Sequence, residues 1–193
     1  MKKITLQGIL YDDKSSYLKG PALAPPRIRS LFNSPSANYF AENGMEIVPE
    51  IFDDKGDFEI NTYFDIEYLT SKNLKNSEHL LTLGGDHSIT YPLIKAFYKF
   101  HGPVDLIHID AHADLYDIFE GDKFSHACPF ARIMEEKLIN KLVQIGIRTL
   151  SKHQREQSEK YGVETIEMRH IHKATSLELK NPVYISLDID ALD

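Results

Sequence analysis

The chain has 193 residues, with 22 Lys+Arg against 29 Asp+Glu and a formal net charge of −7. With 42% apolar and 26% charged residues it reads as a single globular domain over 1–193, soluble and cytoplasmic, not as a disordered, nucleic-acid-binding or membrane-surface protein. No stretch approaches the ~18 apolar residues of a membrane span, and one cysteine, Cys128, leaves no intrachain disulfide framework and suits a reducing compartment.

In chain order, the segment from Met1 to Leu10 reads as a first strand. Tyr11-Asp12-Asp13-Lys14 follows it, with neither the long apolar core nor the small-residue cleavage site of a signal peptide. Pro25 to Phe32 reads as a helix with prolines in its first turn. Then come an expected strand at Met45–Ile51, a helix at Tyr63–Leu74, a loop at Asn73–Ser77 and a strand at His79–Leu83. A helix is expected at Tyr91–Phe100, a strand at Val104–Ile109, a helix at Phe130–Leu138 and a strand at Leu142–Ile147. The polar Lys152–Lys160 reads as a further helix, before strands at Val163–Ile166 and Val183–Ile189. Several of these strands are apolar through most of their length, as parallel strands covered on both faces are. Alternating strands and helices imply an α/β fold with a parallel sheet wrapped on both sides. The sequence stops directly after the last strand with no closing helix. That leads us to expect part of a longer chain, the plainer alternative being a short protein with a frayed end.

Three segments carry chemistry. In Leu106-Ile107-His108-Ile109-Asp110-Ala111-His112-Ala113-Asp114, an apolar strand runs into potential metal ligands at alternate positions. In extended backbone, Asp110, His112 and Asp114 share a face and converge at the strand's carboxyl end, where open parallel sheets place their sites. A polar loop with turn aspartates is the plainer alternative, but turn chemistry does not call for a histidine there. Ser186-Leu187-Asp188-Ile189-Asp190 repeats the arrangement; alone it is no better than a capping turn. In Leu83-Gly84-Gly85-Asp86-His87-Ser88 two glycines permit close backbone approach, Asp86 and His87 follow, and Ser88 is placed to cap a helix over Ile89–Phe100. Asp110, Asp114, Asp188 and Asp190 bring four negative charges, which two divalent cations balance, with His87 and His112 as neutral donors. Oxygen and imidazole donors without thiolate favour manganese-type ions over a structural zinc. Two ions ~3.5–4 Å apart can hold a water between them and lower its pKa towards neutrality. With that hydroxide the cluster stands one charge negative, which suits a cationic electrophile such as a guanidinium.

At these residues the sequence resembles the arginase/agmatinase (ureohydrolase) family, and agmatinases in particular. The resemblance rests on Leu83–Pro92, Ile109–Asp114 and Ser186–Asp193 in that order, together with Ser15–Ala22 near the start. It implies a three-layer α/β/α fold with a mostly parallel sheet, its C-terminal part missing here, and a homo-oligomer. It also implies two Mn2+ ions per chain that hydrolyse a guanidino C–N bond through a bridging hydroxide, most simply agmatine and water to putrescine and urea. Arginase or guanidinobutyrase activity, or a non-catalytic metal-binding fragment, are the alternatives. Carried over by motif, one metal is held by His87, Asp110, Asp114 and Asp188. The other is held by Asp110, His112, Asp188 and Asp190, so Asp110 is both ligand and part of the catalytic centre. His126, in Phe124-Ser125-His126-Ala127-Cys128, matches a proton-shuttling histidine, although Ala127-Cys128 stands where agmatinases commonly carry Gly-Thr. The family's guanidinium-clamping carboxylate follows the third motif and lies beyond Asp193. In the loop Leu115–Ser125, Asp117, Glu120 and Asp122 face only Lys123, an acidic mouth that favours agmatine over the carboxylate-bearing arginine. His79, His101, His108, His153, His170 and His172 fit no motif and read as surface or packing residues, and Cys128 as a small buried apolar one.

Overall fold

The computed structural model describes residues 3–192 except 76 and 78. The first two residues of the expected N-terminal strand, residue 76 of the expected 73–77 loop and the last residue of the third motif lie outside it. Among the described residues the strands are β1 (Ile4–Leu10), β2 (Phe52–Glu59), β3 (Leu80–Leu83), β4 (Val104–Ile109), β5 (Ile139–Ile147), β6 (Glu164–Glu167) and β7 (Val183–Leu187). The α-helices are α1 (Ala24–Phe32), α2 (Asp65–Leu74), α3 (Thr90–His101), α4 (Pro129–Glu135) and α5 (Lys152–Tyr161). The strands form two ladders, β2-β1-β3 and β6-β5-β4-β7, and every pairing is parallel.

Both faces of the four-stranded sheet are covered over β4 and β5, which suits their continuous apolar runs, whereas Val183, Ile185 and Leu187 of β7 stay exposed on one face. Leu106 and Leu142 pack on one side with Ile94 of α3 and Phe130 and Ile133 of α4. Val143 and Ile145, with Ile107 beside them, pack on the other against Ile166, Ala174, Leu177 and Leu179. Burying side chains of this size is worth ~1.5–3 kcal/mol each relative to exposure. These are the three layers expected from the sequence.

The strand expected at Met45–Ile51 is not there. Pro49, which cannot donate to a ladder, opens a 3₁₀ turn at Pro49–Ile51, and the strand follows as β2. β2 reads Phe-Asp-Asp-Lys-Gly-Asp-Phe-Glu because it is an edge strand paired only with β1, where charge discourages further pairing. Helix α4 stops at Glu135 instead of reaching Leu138. Lys137 takes a positive φ of 55° and turns Leu138 back into the core. Helix α2 runs to Leu74, so Asn73 and Leu74 are helical rather than loop. Ser88 does not cap α3. It is buried and donates its backbone N–H to Asp86 Oδ1 at 3.0 Å, so Asp86 caps the 3₁₀ turn His87–Ile89 that leads into the helix.

Candidate metal centre

The carboxyl ends of β3, β4 and β7 meet. Gly85, just after β3, lies so close to the end of β1 that a Cβ there would come within 1.8 Å of the Tyr11 carbonyl oxygen, and Asp86 N–H donates to that same carbonyl at 3.0 Å. This contact needs a glycine for closeness rather than for φ. A second backbone device lies in β5. Gly146, at φ +92°, forms a bulge beside Asp110, so that the chain resumes along Ala111 with Arg148 N–H donating to its carbonyl at 2.8 Å.

At this junction the structure brings together the six ligands expected from the motifs. His87 Nδ1 lies 3.0 Å from Asp110 Oδ2, 3.0 Å from Asp114 Oδ2 and 3.6 Å from Asp188 Oδ2. It is buried yet makes no well-aligned hydrogen bond, while Nε2 on the other side of the ring pairs with Ser186 Oγ at 2.9 Å. His112 Nδ1 lies 3.0 Å from Asp190 Oδ2 and 3.6 Å from Asp110 Oδ1. Asp188 ties into the group by accepting from Asp190 N–H at 3.1 Å, and Asp190 accepts from Ala111 N–H at 3.2 Å. Asp114 adopts a positive φ of 44°, a conformation aspartate tolerates better than most residues. Two subsets, His87/His108/Asp110 and Asp110/His112/Asp190, are tight enough to hold an ion, and both include Asp110.

The electrostatics call for positive charge between these groups. Burial would lower His87, but the carboxylates of Asp110 and Asp114 outweigh it and raise the imidazole to about 10. Burial pushes Asp110 up, yet His108 and then His87 hold it well below the usual carboxylate range. Asp190 is raised, first by burial and then by the charges of Asp188 and Asp110. A buried imidazole nitrogen that makes no well-aligned hydrogen bond yet faces three carboxylates fits divalent-metal ligation.

His126 stands apart from the cluster, and the chain's start ties it to that region. Lys14 N–H and Ser15 Oγ–H donate to Asp86 Oδ2, next to His87, at 3.0 and 3.3 Å. His126 Nδ1 lies 2.9 Å from the Lys14 carbonyl, which can only accept, so Nδ1 carries the proton. The acidic mouth takes a different form from the expected one. Asp117 is gripped by the buried Arg132 through both its carboxylate and its backbone carbonyl, and Asp122 pairs with Lys14 Nζ at 2.6 Å. Of the three acids, Glu120 alone keeps no ion pair among the described residues. Cys128 is buried, and burial pushes its thiol up to about 12, as suits a packing residue.

One residue was missed. His108, read from sequence as packing or surface, is fully buried with Nε2 2.7 Å from Asp110 Oδ2. Its position two before Asp110 puts it on the ligand face of β4, which period-two counting could have shown.

Fold and site together define a class: a parallel α/β protein whose strand ends gather carboxylates and imidazoles able to hold divalent metal. Comparison with known proteins narrows this. The model of the Arginase family matches residues 2–193. Mitochondrial arginase 1 of Arabidopsis thaliana is 42% identical over 210 residues, covering 98% of this chain and 61% of that protein. An N(1)-aminopropylagmatine ureohydrolase of Thermus thermophilus is 43% identical over 128 residues, 63% of this chain and 43% of that enzyme. The solved arginase of Medicago truncatula superposes with a TM-score of 0.88 at 37% identity, covering all of this chain and 67% of the other. The chain belongs to the arginase family. It spans 61% of the length of the Arabidopsis relative.

Proposed function

We propose that the protein hydrolyses a guanidino C–N bond to urea and an amine, with two manganese ions. His87, Asp110, Asp114 and Asp188 hold one ion, and Asp110, His112, Asp188 and Asp190 hold the other. The observation that carries this reading is the buried His87 Nδ1, set 3.0 Å from both the Asp110 and Asp114 carboxylates without a well-aligned hydrogen bond to either. Bound metal supplies an acidified water nucleophile. The proton then has to reach the departing amine. His126 suits that task because Lys14 fixes its proton on Nδ1, leaving the Nε2 lone pair to take up and return a second one.

For the substrate, our first reading is arginine. The case for agmatine rested on repulsion of a carboxylate by the loop, and ion pairs with Arg132 and Lys14 neutralise two of its three acids. The 42% identity to a plant arginase across 98% of the chain supports the same choice. Agmatine, giving putrescine, is the second reading, favoured by the likeness to the Thermus enzyme and by the Ser125-His126 context. The test is kcat/KM for arginine, agmatine and guanidinobutyrate, from urea release by manganese-loaded full-length protein. Agmatine in first place overturns the charge argument, and no urea from any of them overturns the hydrolase reading.

Among the described residues no helix is long and apolar enough to cross a membrane. Cytoplasmic residence is our reading from the single, buried cysteine, although the Arabidopsis relative is named as mitochondrial. A homo-oligomer is proposed from the family resemblance alone.

A further inference from the structure

His108 lies close enough to His87 and Asp110 to be counted with them as a metal ligand. Its hydrogen bonds argue for a different role. In the parallel pairing of β4 and β5, His108 is the register partner of Gln144, and both side chains are fully buried. Gln144 Nε2 lies 2.6 Å from the Ala113 carbonyl oxygen and 3.0 Å from His108 Nδ1. A carbonyl tolerates only a donor at that distance, so the amide nitrogen must face Ala113. The reverse orientation would set two oxygens against each other. The same NH2 group therefore meets His108 Nδ1 as a donor, and Nδ1 is the accepting, unprotonated nitrogen. In a neutral imidazole the proton then sits on Nε2, which points at Asp110 Oδ2 from 2.7 Å. A nitrogen carrying that proton has no lone pair left for a metal.

We propose that His108 is a positioning residue, not a ligand: Gln144 locks its Nε2–H tautomer, and that N–H holds the shared Asp110 carboxylate in place for metal. The Asp110 carboxylate is then fixed on both oxygens, since Oδ1 accepts from His112 N–H at 2.6 Å. One face of the imidazole rests on Phe130, with ring centroids 4.0 Å apart, so the ring has little freedom to turn away. Partners of this kind commonly govern metal affinity by about 10- to 100-fold. The inference rests on the metal-centre reading above.

Long-range 1H–15N spectra of the metal-free, labelled protein should show His108 with Nε2 protonated and Nδ1 bare. In Mn2+ titrations followed by electron paramagnetic resonance, His108→Phe keeps the aromatic packing but loses the donor, and should weaken binding by about 10- to 100-fold. His108→Gln, whose amide reaches about as far as Nε2, should recover most of that loss. Gln144→Met should give a smaller loss. A protonated Nδ1 in the wild type overturns the proposal. So does a His108→Gln variant as impaired as His108→Phe, which would mark a true ligand. If His108→Phe does not fold, the tautomer and His108→Gln still decide. Wild-type protein that binds no Mn2+ overturns the metal reading itself, and this inference with it.

Discussion

The two halves of the cluster are built to different standards. Around His87, Asp110 and Asp114 the side chains are 8%, 1% and 9% exposed, and Ser186, His108 and the His112 N–H hold them from behind. Around His112 and Asp190 they are 57% and 44% exposed and lean mainly on each other. Another aspartate, at the opposite end of β4, supplies a control. Asp105 is buried too, but it accepts from Lys180 N–H, Asn181 N–H and Asn181 Nδ2–H at 2.9, 3.2 and 3.0 Å. The chain satisfies that carboxylate by itself. Asp114 is instead turned with Asp188 towards a buried histidine nitrogen that makes no well-aligned hydrogen bond to either, the arrangement expected where a cation completes the set.

The largest expected effect comes from removing what the halves share. Asp110→Ala should lose more than one bound ion per chain, measured by metal analysis after manganese loading and desalting. A variant that still holds both ions would show that Asp110 does not join the two subsets. His112→Ala should separate the halves, leaving about one tightly bound ion of the two. Equal loss of both would mean that the exposed half organises the buried one.

Much of this was legible in the sequence, for a physical reason. The apolar runs that precede the expected ligands do mark strands β4 and β7. The ligands themselves follow the strand ends, with Asp114 at a positive φ of 44° and Asp190 in the 3₁₀ turn Ile189–Leu192. It is their place just after the strands, rather than strand period, that the sequence shows. What was not legible depends on partners far along the chain. The pairing of Asp117 with Arg132 and of Asp122 with Lys14 spans 15 and 108 positions, so local charge counting mistook neutralised acids for an open acidic field. β2 escaped notice because an edge strand with one neighbour can be polar, which removes the apolar signal used to find it. His108 was within reach, but only if the count of alternate positions had begun one step earlier.

The smallest effect belongs to the control. Hydrogen bonds from Asn181 and Lys180 hold the Asp105 carboxyl below its ordinary value of 3.8 despite the opposing push of burial. A depressed carboxylate contributes stability above that ordinary value and loses it as pH falls through the lowered one. Asp105→Asn should therefore unfold more readily at neutral pH, by about 1–3 kcal/mol in urea. The gap to wild type should narrow below about pH 4. Metal content should not change. An Asp105→Asn protein that loses bound manganese would show that the two ends of β4 are not independent.

In the proposed centre one buried subsite and one exposed subsite share Asp110. Calorimetric titration of metal-free protein with Mn2+ tests this most directly. Two ions per chain should bind in separate steps, with the tighter step surviving His112→Ala and neither surviving Asp110→Ala. A single step of one ion per chain in folded protein, unaffected by Asp110→Ala, would contradict it.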